Sequence, residues 1–95
     1  MGEVYRATDR LYVRPMDSLE FEPIPGTDGA VGPFLSPDGQ SVGFLADGQL
    51  KKVSLRGGKV TVLCDAQAGY RGTWGGNGWI YFTYGESRLA RVRED

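Results

Sequence analysis

The feature that most constrains this chain is an internal repeat of 39 residues. Three similar stretches, RLYVRPMD, QLKKVSLR and RLARVRED, carry Leu11, Leu50 and Leu89 at the same place, 39 residues apart (50 − 11 and 89 − 50). The match continues away from the leucines, because SPDG at 36–39 falls opposite GGNG at 75–78. Such a repeat indicates copies of one supersecondary unit, each of which buries its apolar side against a neighbour.

One compensated shift interrupts the repeat. Val42 and Phe44 match Ile80 and Phe82, one residue short of the full spacing, and the following turn restores it. Two loops of unequal length would produce this pattern. The shift therefore predicts a difference in loop length between the two units.

Each unit has the pattern of short strands joined by tight turns. Apolar residues come in short runs broken by Gly, Pro, Asp and Asn, and no long helical pattern is present. A period near 40 that contains only strands is typical of a propeller blade, in which four antiparallel strands, a to d from the inside outwards, form one sheet. The predicted fold class is all-β, with antiparallel four-stranded propeller blades, about two per chain, completed by oligomerisation.

This template divides the chain into parts. Residues 10–95 are predicted to form a partial β-propeller. It contains strands c and d of one blade at 10–16 and 19–24, a full blade at about 33–64, and strands a, b and c of another at about 72–92.

The stretch GPFLSPDGQSVGFLADGQLKKVSLRGG resembles the WD-like blade repeat of TolB-type propellers, through FLSPDG and LKKVSLRGG. It is especially similar to the propeller domains that follow the catalytic domain in some bacterial serine/threonine kinases. The likeness covers about residues 10–92, although GGNG in the last unit departs from SPDG. The resemblance implies six blades in a closed ring and says little about a ligand.

The opening MGEVYRATD resembles the end of a kinase glycine-rich loop. Kinase catalysis also needs a Lys on the third strand, a catalytic-loop Asp and a metal-binding Asp, and no V-A-I-K, H-R-D or D-F-G sequence follows. Residues 1–9 are therefore expected to be a kinase-like remnant without catalytic activity. They can equally form an extra b strand at 4–7, if Gly2–Tyr5 is aligned with Gly78–Tyr81, and the two interpretations are compatible.

Composition argues against several function classes. The chain has no His, so acid–base catalysis near neutral pH would fall to a carboxylate, Tyr or Lys. A net charge of −1 gives no reason to expect nucleic acid. Cys64 is the single cysteine, and with no His to activate it we expect a structural role. No apolar run approaches the roughly 20 residues of a membrane span, which favours a cytoplasmic protein without a membrane partner.

Three aspartates in turns are the candidate metal ligands. Asp28, Asp38 and Asp47 each lie beside Gly, where Asp side chains commonly hydrogen-bond their own backbone. Their spacing does not fit a calcium loop, whose ligands alternate along the chain. We expect these residues to shape turns, and we predict no metal and no cofactor.

The number of strands predicts self-association. Nine predicted strands make two blades and one spare strand, whereas propellers close with about four to eight blades. A homo-oligomer is therefore expected, in which strands c and d of one copy complete a and b of the next. A trimer that makes a six-bladed ring is favoured and a dimer is possible, although the c strands of Leu11 and Leu89 then compete for one position. The predicted self-assembly interface contains Leu11, Val13, Phe21, Ile24, Trp79, Ile80, Tyr81, Phe82, Leu89 and Val92.

The function expected from these observations is a non-catalytic β-propeller interaction or scaffold module that assembles through incomplete blades, as the residual sensor domain of a kinase-like protein. One alternative is an inactive fragment of a serine/threonine protein kinase. Another is a small-ligand receptor whose central channel is lined by the loops at 26–32 and 65–72.

Overall fold

The computed structural model describes residues 2–95, which form ten β-strands in three antiparallel sheets and no helix. The first sheet contains β1 (Gly2–Ala7), β2 (Arg10–Pro15) and β3 (Glu22–Pro23). The middle sheet contains β4 (Val31–Leu35), β5 (Ser41–Ala46), β6 (Gln49–Ser54) and β7 (Thr61–Asp65). The last sheet contains β8 (Gly72–Trp74), β9 (Trp79–Tyr84) and β10 (Arg88–Arg93). The all-β, antiparallel character predicted from the sequence is confirmed.

The grouping of the strands corrects the expectation of about two blades per chain. The described residues form three sheets with three, four and three strands, arranged as an open stack. β2 carries Leu11 and β10 carries Leu89, and each pairs within its own sheet, so the two strands do not compete for one position. Compared with the middle sheet, the first sheet lacks the counterpart of β4 and the last sheet lacks the counterpart of β7.

Two hydrophobic cores hold the stack together. The middle sheet lies between the other two. Because side chains alternate along a strand, each of its faces contributes residues to one core. The first core, between the first and middle sheets, contains Leu11, Ile24, Ala30, Val42, Phe44, Ala46 and Val53. The second core, between the middle and last sheets, contains Leu45, Leu50, Ala66, Ile80 and Phe82.

The turns confirm the predicted difference in loop length. In the middle sheet the N–H of Ser36 donates to the carbonyl of Ser41, whereas in the last sheet the N–H of Gly75 donates to the carbonyl of Trp79, both at 2.9 Å. The loop in the last sheet is therefore one residue shorter. The next hairpin is one residue longer there, since positions 85–87 separate β9 from β10 while only 47 and 48 separate β5 from β6.

Side-chain hydrogen bonds explain why SPDG forms the longer turn. Asp38 Oδ1 accepts from the Ser36 hydroxyl at 2.6 Å and from the Gln40 N–H at 2.9 Å. Ser36 Oγ in turn accepts from the N–H of Ser41 at 3.0 Å. The bonds from Ser36 and then Gln40 lower the pKa of the Asp38 carboxyl. In the last sheet Asn77 replaces this aspartate, and its Oδ1 accepts a backbone N–H two residues on, at 3.3 Å.

The extra strand near the N-terminus exists, but its predicted alignment with Gly78–Tyr81 is wrong by one residue. The turn between β1 and β2 has two residues, as in the middle sheet, because Ala7 pairs with Arg10. Tyr5 therefore corresponds to Phe44, 39 residues later. Val4 consequently faces the first core, whereas Tyr5 points away from it and is 53% exposed.

The strand predicted at 19–24 is shortened to β3. Pro23 and Pro25 have no N–H to donate to a ladder, so the pairing with β2 extends over two residues only. Leu19 lies before β3 and is 92% exposed.

Candidate interaction faces

The outward face of the last sheet is the first candidate site. The register of β9 and β10 places Trp79 opposite Arg93, Tyr81 opposite Arg91 and Thr83 opposite Leu89. Directly paired residues share one face of a sheet. Because Ile80 and Phe82 alternate with these residues and fill the second core, the three pairs point away from the stack. We name as the last end face the residues Trp79, Tyr81, Thr83, Leu89, Arg91 and Arg93.

Leu89 is the clearest signal on this face. Leu11 and Leu50 hold the same position in the repeat and are both 0% exposed, whereas Leu89 is 72% exposed. The middle sheet covers the first of these leucines and the last sheet covers the second, but no sheet follows the third within residues 2–95. Burying a leucine side chain contributes about 1.5–3 kcal/mol. The repeat thus provides a contact residue that the isolated chain leaves uncovered.

Arginine side chains lie over the aromatic part of the last end face. The Arg91 guanidinium carbon is 4.1 Å from the centroid of the Trp79 ring, and that of Arg93 is 5.2 Å from it. Both distances are within the range of cation–π attraction. Hydrogen bonds from Asn77 and then Arg91 lower the pKa of Tyr81. The face therefore combines an exposed leucine, two aromatic rings and two positive charges.

In the middle sheet, an aromatic ring at the position that corresponds to Tyr81 and its partner Thr73 contacts the next sheet. Phe34 pairs with Gly43, and its ring fills the space beside Gly43 and also reaches Gly72 of the last sheet. A Cβ added to either glycine would lie 2.4 or 2.5 Å from this ring. In the last sheet Thr73 and Tyr81 hold the same two cross-strand positions. The aromatic ring is thus carried by β4 in the middle sheet and by β9 in the last sheet, on the same face of each.

The outward face of the first sheet is the second candidate site. Glu3 lies opposite Arg14, with a salt bridge of 2.6 Å, and Tyr5 lies opposite Tyr12. The Tyr5 ring meets the Phe21 ring edge to face, with centroids 5.1 Å apart. The Tyr5 hydroxyl donates to Glu3 at 2.9 Å, and this bond, followed by that from Arg14, lowers the pKa of Glu3. We name as the first end face the residues Glu3, Tyr5, Tyr12, Arg14 and Phe21.

The first end face corresponds to the surface with which the middle sheet covers its neighbour. Tyr5 and Phe21 are matched by Phe44 and Val60, 39 residues later. Phe44 lies in the first core, and Val60 packs against that core. Their counterparts in the first sheet are 53% and 45% exposed. The two ends of the stack are therefore different, and each carries one half of a contact that the chain makes internally.

The ten residues predicted as a self-assembly interface separate into two groups. Six pack in the chain's own cores, which corrects their assignment to a contact between copies: Leu11, Val13, Ile24, Ile80, Phe82 and Val92. Four lie on the end faces: Phe21, Trp79, Tyr81 and Leu89. The prediction missed Tyr5, which the 39-residue spacing to Phe44 would have identified.

The cysteine and the turn aspartates lie in surroundings that suit a structural role. Cys64 is partly buried, and desolvation followed by the charge of Asp65 raises the pKa of its thiol. Asp28 forms a salt bridge with Arg10 at 2.7 Å. Within residues 2–95, no three His, Cys, Asp or Glu side chains are placed to hold a metal ion. The same part of the chain contains no helix with the length and hydrophobicity needed to cross a membrane.

One cleft beside the loops assigned to a ligand channel is small. Its volume is about 160 Å³, and its lining is mostly small or apolar, with Gly29, Ala66 and Gly69 among the contributors. A larger cleft of about 520 Å³ lies at the other end of the strands, beside the turns at 36–41 and 75–79. There the Trp74 indole donates to the Glu94 carboxylate at 2.8 Å. A second cleft, of about 250 Å³, borders the loop at 26–32, and its two charged lining residues, Arg10 and Asp28, pair with each other at 2.7 Å.

Comparisons of the chain with protein-family models, with curated proteins and with solved structures find no match. The likeness to TolB-type blades and to a kinase loop therefore stays a sequence-based expectation. The functional argument rests on the two end faces.

Proposed function

We propose that this chain is a non-catalytic interaction module, built from propeller-type sheets, that assembles with further copies of itself through its uncovered end faces. The observation that carries the proposal is the 72% exposure of Leu89 where Leu11 and Leu50 are 0% exposed. In repeat proteins each unit buries its apolar side against the next one. The last unit retains the side chains for such a contact, so a following sheet is the partner that they fit.

The composition of the end faces supports this proposal. Aromatic residues and Arg are enriched at protein interfaces, and Trp, Tyr and Arg dominate their energetics. Trp79, Tyr81 and Arg91 lie together on the last end face, and Tyr5 stacks with Phe21 on the first. Aromatic side chains therefore lie on both outward faces, exposed on the first end face and half-buried beneath the arginines on the last.

Two copies are the assembly that the sheet count favours. The expectation of a trimer assumed about two blades per chain, whereas the described residues form three sheets. Two such chains supply the six sheets that the resemblance implies for a closed ring. We therefore propose a dimer in place of the trimer.

Light scattering over a range of concentrations tests the proposal. We expect a mass about twice the single-chain value of 10.4 kDa at roughly 10–100 μM, where a contact of moderate affinity is occupied. Leu89→Arg should return the mass to that of one chain, because it places a charge where an apolar contact forms. Val62→Arg is the matched control, since Val62 is 49% exposed but lies on β7 outside both end faces. A wild-type mass of one chain throughout would contradict the proposal.

A further inference from the structure

The two cores of this chain share one recurring pair of buried residues. In the first core Leu11 of the first sheet is buried with Phe44 of the middle sheet. In the second core Leu50 of the middle sheet is buried with Phe82 of the last sheet. In each pair the leucine lies on the strand at blade position c (β2 or β6). The aromatic residue lies on the strand at blade position b of the following sheet (β5 or β9). The repeat therefore specifies which surface follows which.

The two end faces each hold one member of this pair without its partner. Leu89 continues the series of leucines, and no aromatic residue of a following sheet covers it within residues 2–95. Tyr5 holds the position of Phe44, and no preceding leucine covers it in the same range. We propose that the first end face of a second copy covers the last end face of the first copy, head to tail, with Tyr5 of the second copy against Leu89. This inference rests on the self-assembly proposed above and specifies its geometry.

Charge favours this orientation over a contact between two last end faces. Arg91 and Arg93 lie on the last end face, so two such faces would bring four guanidinium groups together. On the first end face Glu3 instead pairs with Arg14 at 2.6 Å, and Asp17 and Glu20 are exposed in the loop that joins β2 to β3. Opposite charges across an interface direct the orientation of the partners, and like charges in contact are unfavourable.

A head-to-tail contact has a consequence for the number of copies. Such a contact generates a ring when its rotation closes, and an open filament when it does not. With two copies, each last end face receives the first end face of the other, so that two identical contacts form. All four end faces are then covered, and six sheets complete the assembly.

Mixing two variants tests the orientation. Leu89→Arg disables the last end face and leaves the first intact, whereas Tyr5→Arg does the reverse. Both side chains are more than half exposed, so both variants should fold, which circular dichroism and thermal unfolding will show. Each variant alone should have the mass of one chain. Their equimolar mixture should form a heterodimer through the one remaining pair of intact faces, detectable by light scattering and by native mass spectrometry.

The outcomes separate the orientation from self-assembly itself. Recovery of a dimer on mixing is the expected result. If Leu89→Arg separates the copies and Tyr5→Arg does not, the last end faces meet each other, and the head-to-tail geometry is overturned while self-assembly stands. Failure of the mixture to associate at the highest wild-type concentration also overturns this geometry. A wild-type chain that stays single overturns both proposals, and Val62→Arg should behave as wild type throughout.

Discussion

At the scale of single residues, the repeat allows one side chain to be compared in two surroundings. Leu50 is fully buried in the second core, whereas Leu89 is 72% exposed at the same repeat position. Leu50→Ala should lower the free energy of unfolding by about 2–5 kcal/mol, the usual range for a buried leucine. Leu89→Ala should change it by less than about 0.5 kcal/mol. Urea unfolding of both variants makes the comparison, in the Tyr5→Arg background that the proposed geometry expects to be a single chain. Equal losses would contradict the prediction.

Asp38 makes a second residue-scale prediction, which concerns pH. Hydrogen bonds from Ser36 and Gln40 lower its pKa in the folded chain, while the unfolded chain keeps the ordinary value near 4. The unfolded state then binds the proton more readily, so the stability from this group is present above about pH 4 and is lost as pH falls through the folded pKa. Asp38→Asn should therefore show a shallower fall of Tm below about pH 4 than the wild type. Parallel curves would contradict this role.

At the scale of strands, the close approach of the Phe34 ring to Gly43 and Gly72 determines how β4, β5 and β8 pack. The Phe34 ring would lie 2.4 Å from a Cβ at Gly43. Gly43→Ala must therefore displace this ring from its place between the middle and last sheets. Overpacking of this kind costs about 1–3 kcal/mol. Gly76→Ala is the control, because nothing lies within 4 Å of a Cβ there. Thermal unfolding should show a lower Tm for the first variant only, and a wild-type Tm for Gly43→Ala would contradict the packing.

Strand positions were largely predictable because their signals are local. Asp-Gly at 47–48 and the turn at 36–39 mark the hairpins on either side of β5, inside the blade predicted at about 33–64. The one-residue shift in the repeat also predicted unequal loops, which the hydrogen bonds confirm. β3 was overestimated, because the missing donors of Pro23 and Pro25 outweighed the β-forming side chains around them.

The end faces were less predictable, because alternation identifies two sets of side chains without saying which one points outward. Ile80 and Phe82 alternate with Trp79 and Tyr81, and only the stacking of the sheets assigns the first set to the core. Tyr5 was missed for a related reason. Its alignment followed local likeness, whereas the two-residue turn after β1 sets the register, and a slip of one residue exchanges the faces of a strand.

At the scale of the whole molecule, the three sheets form a compact body without a partner. The radius of gyration is 12.6 Å, close to the roughly 12.4 Å expected for a compact chain of this length. Two internal cores and no buried side-chain polar atom without a hydrogen bond, among the residues described, are consistent with folding before assembly. We therefore favour contacts between the faces of folded copies over an exchange of strands.

Salt should affect this assembly through its charges. In the proposed dimer, the exposed Asp17 and Glu20 of the first sheet's loop would attract Arg91 and Arg93 of the last end face over distances that salt screens. Raising ionic strength from about 0.05 to 0.5 M should therefore slow association more than it speeds dissociation. Surface plasmon resonance between the Leu89→Arg and Tyr5→Arg variants measures both rates. Arg91→Gln in the Tyr5→Arg chain should reduce the salt effect, and an association rate independent of salt would contradict it.

The unpaired edge of β10 has a consequence for how growth of the assembly is limited. No strand lies beside it within residues 2–95, although its counterpart β6 pairs with β7. Bare backbone of this kind can template a cross-β fibril, in which molecules add along an edge without end. Arg88, Arg91 and Arg93 make two such edges repel each other. These arginines thus disfavour open-ended fibril growth along this edge.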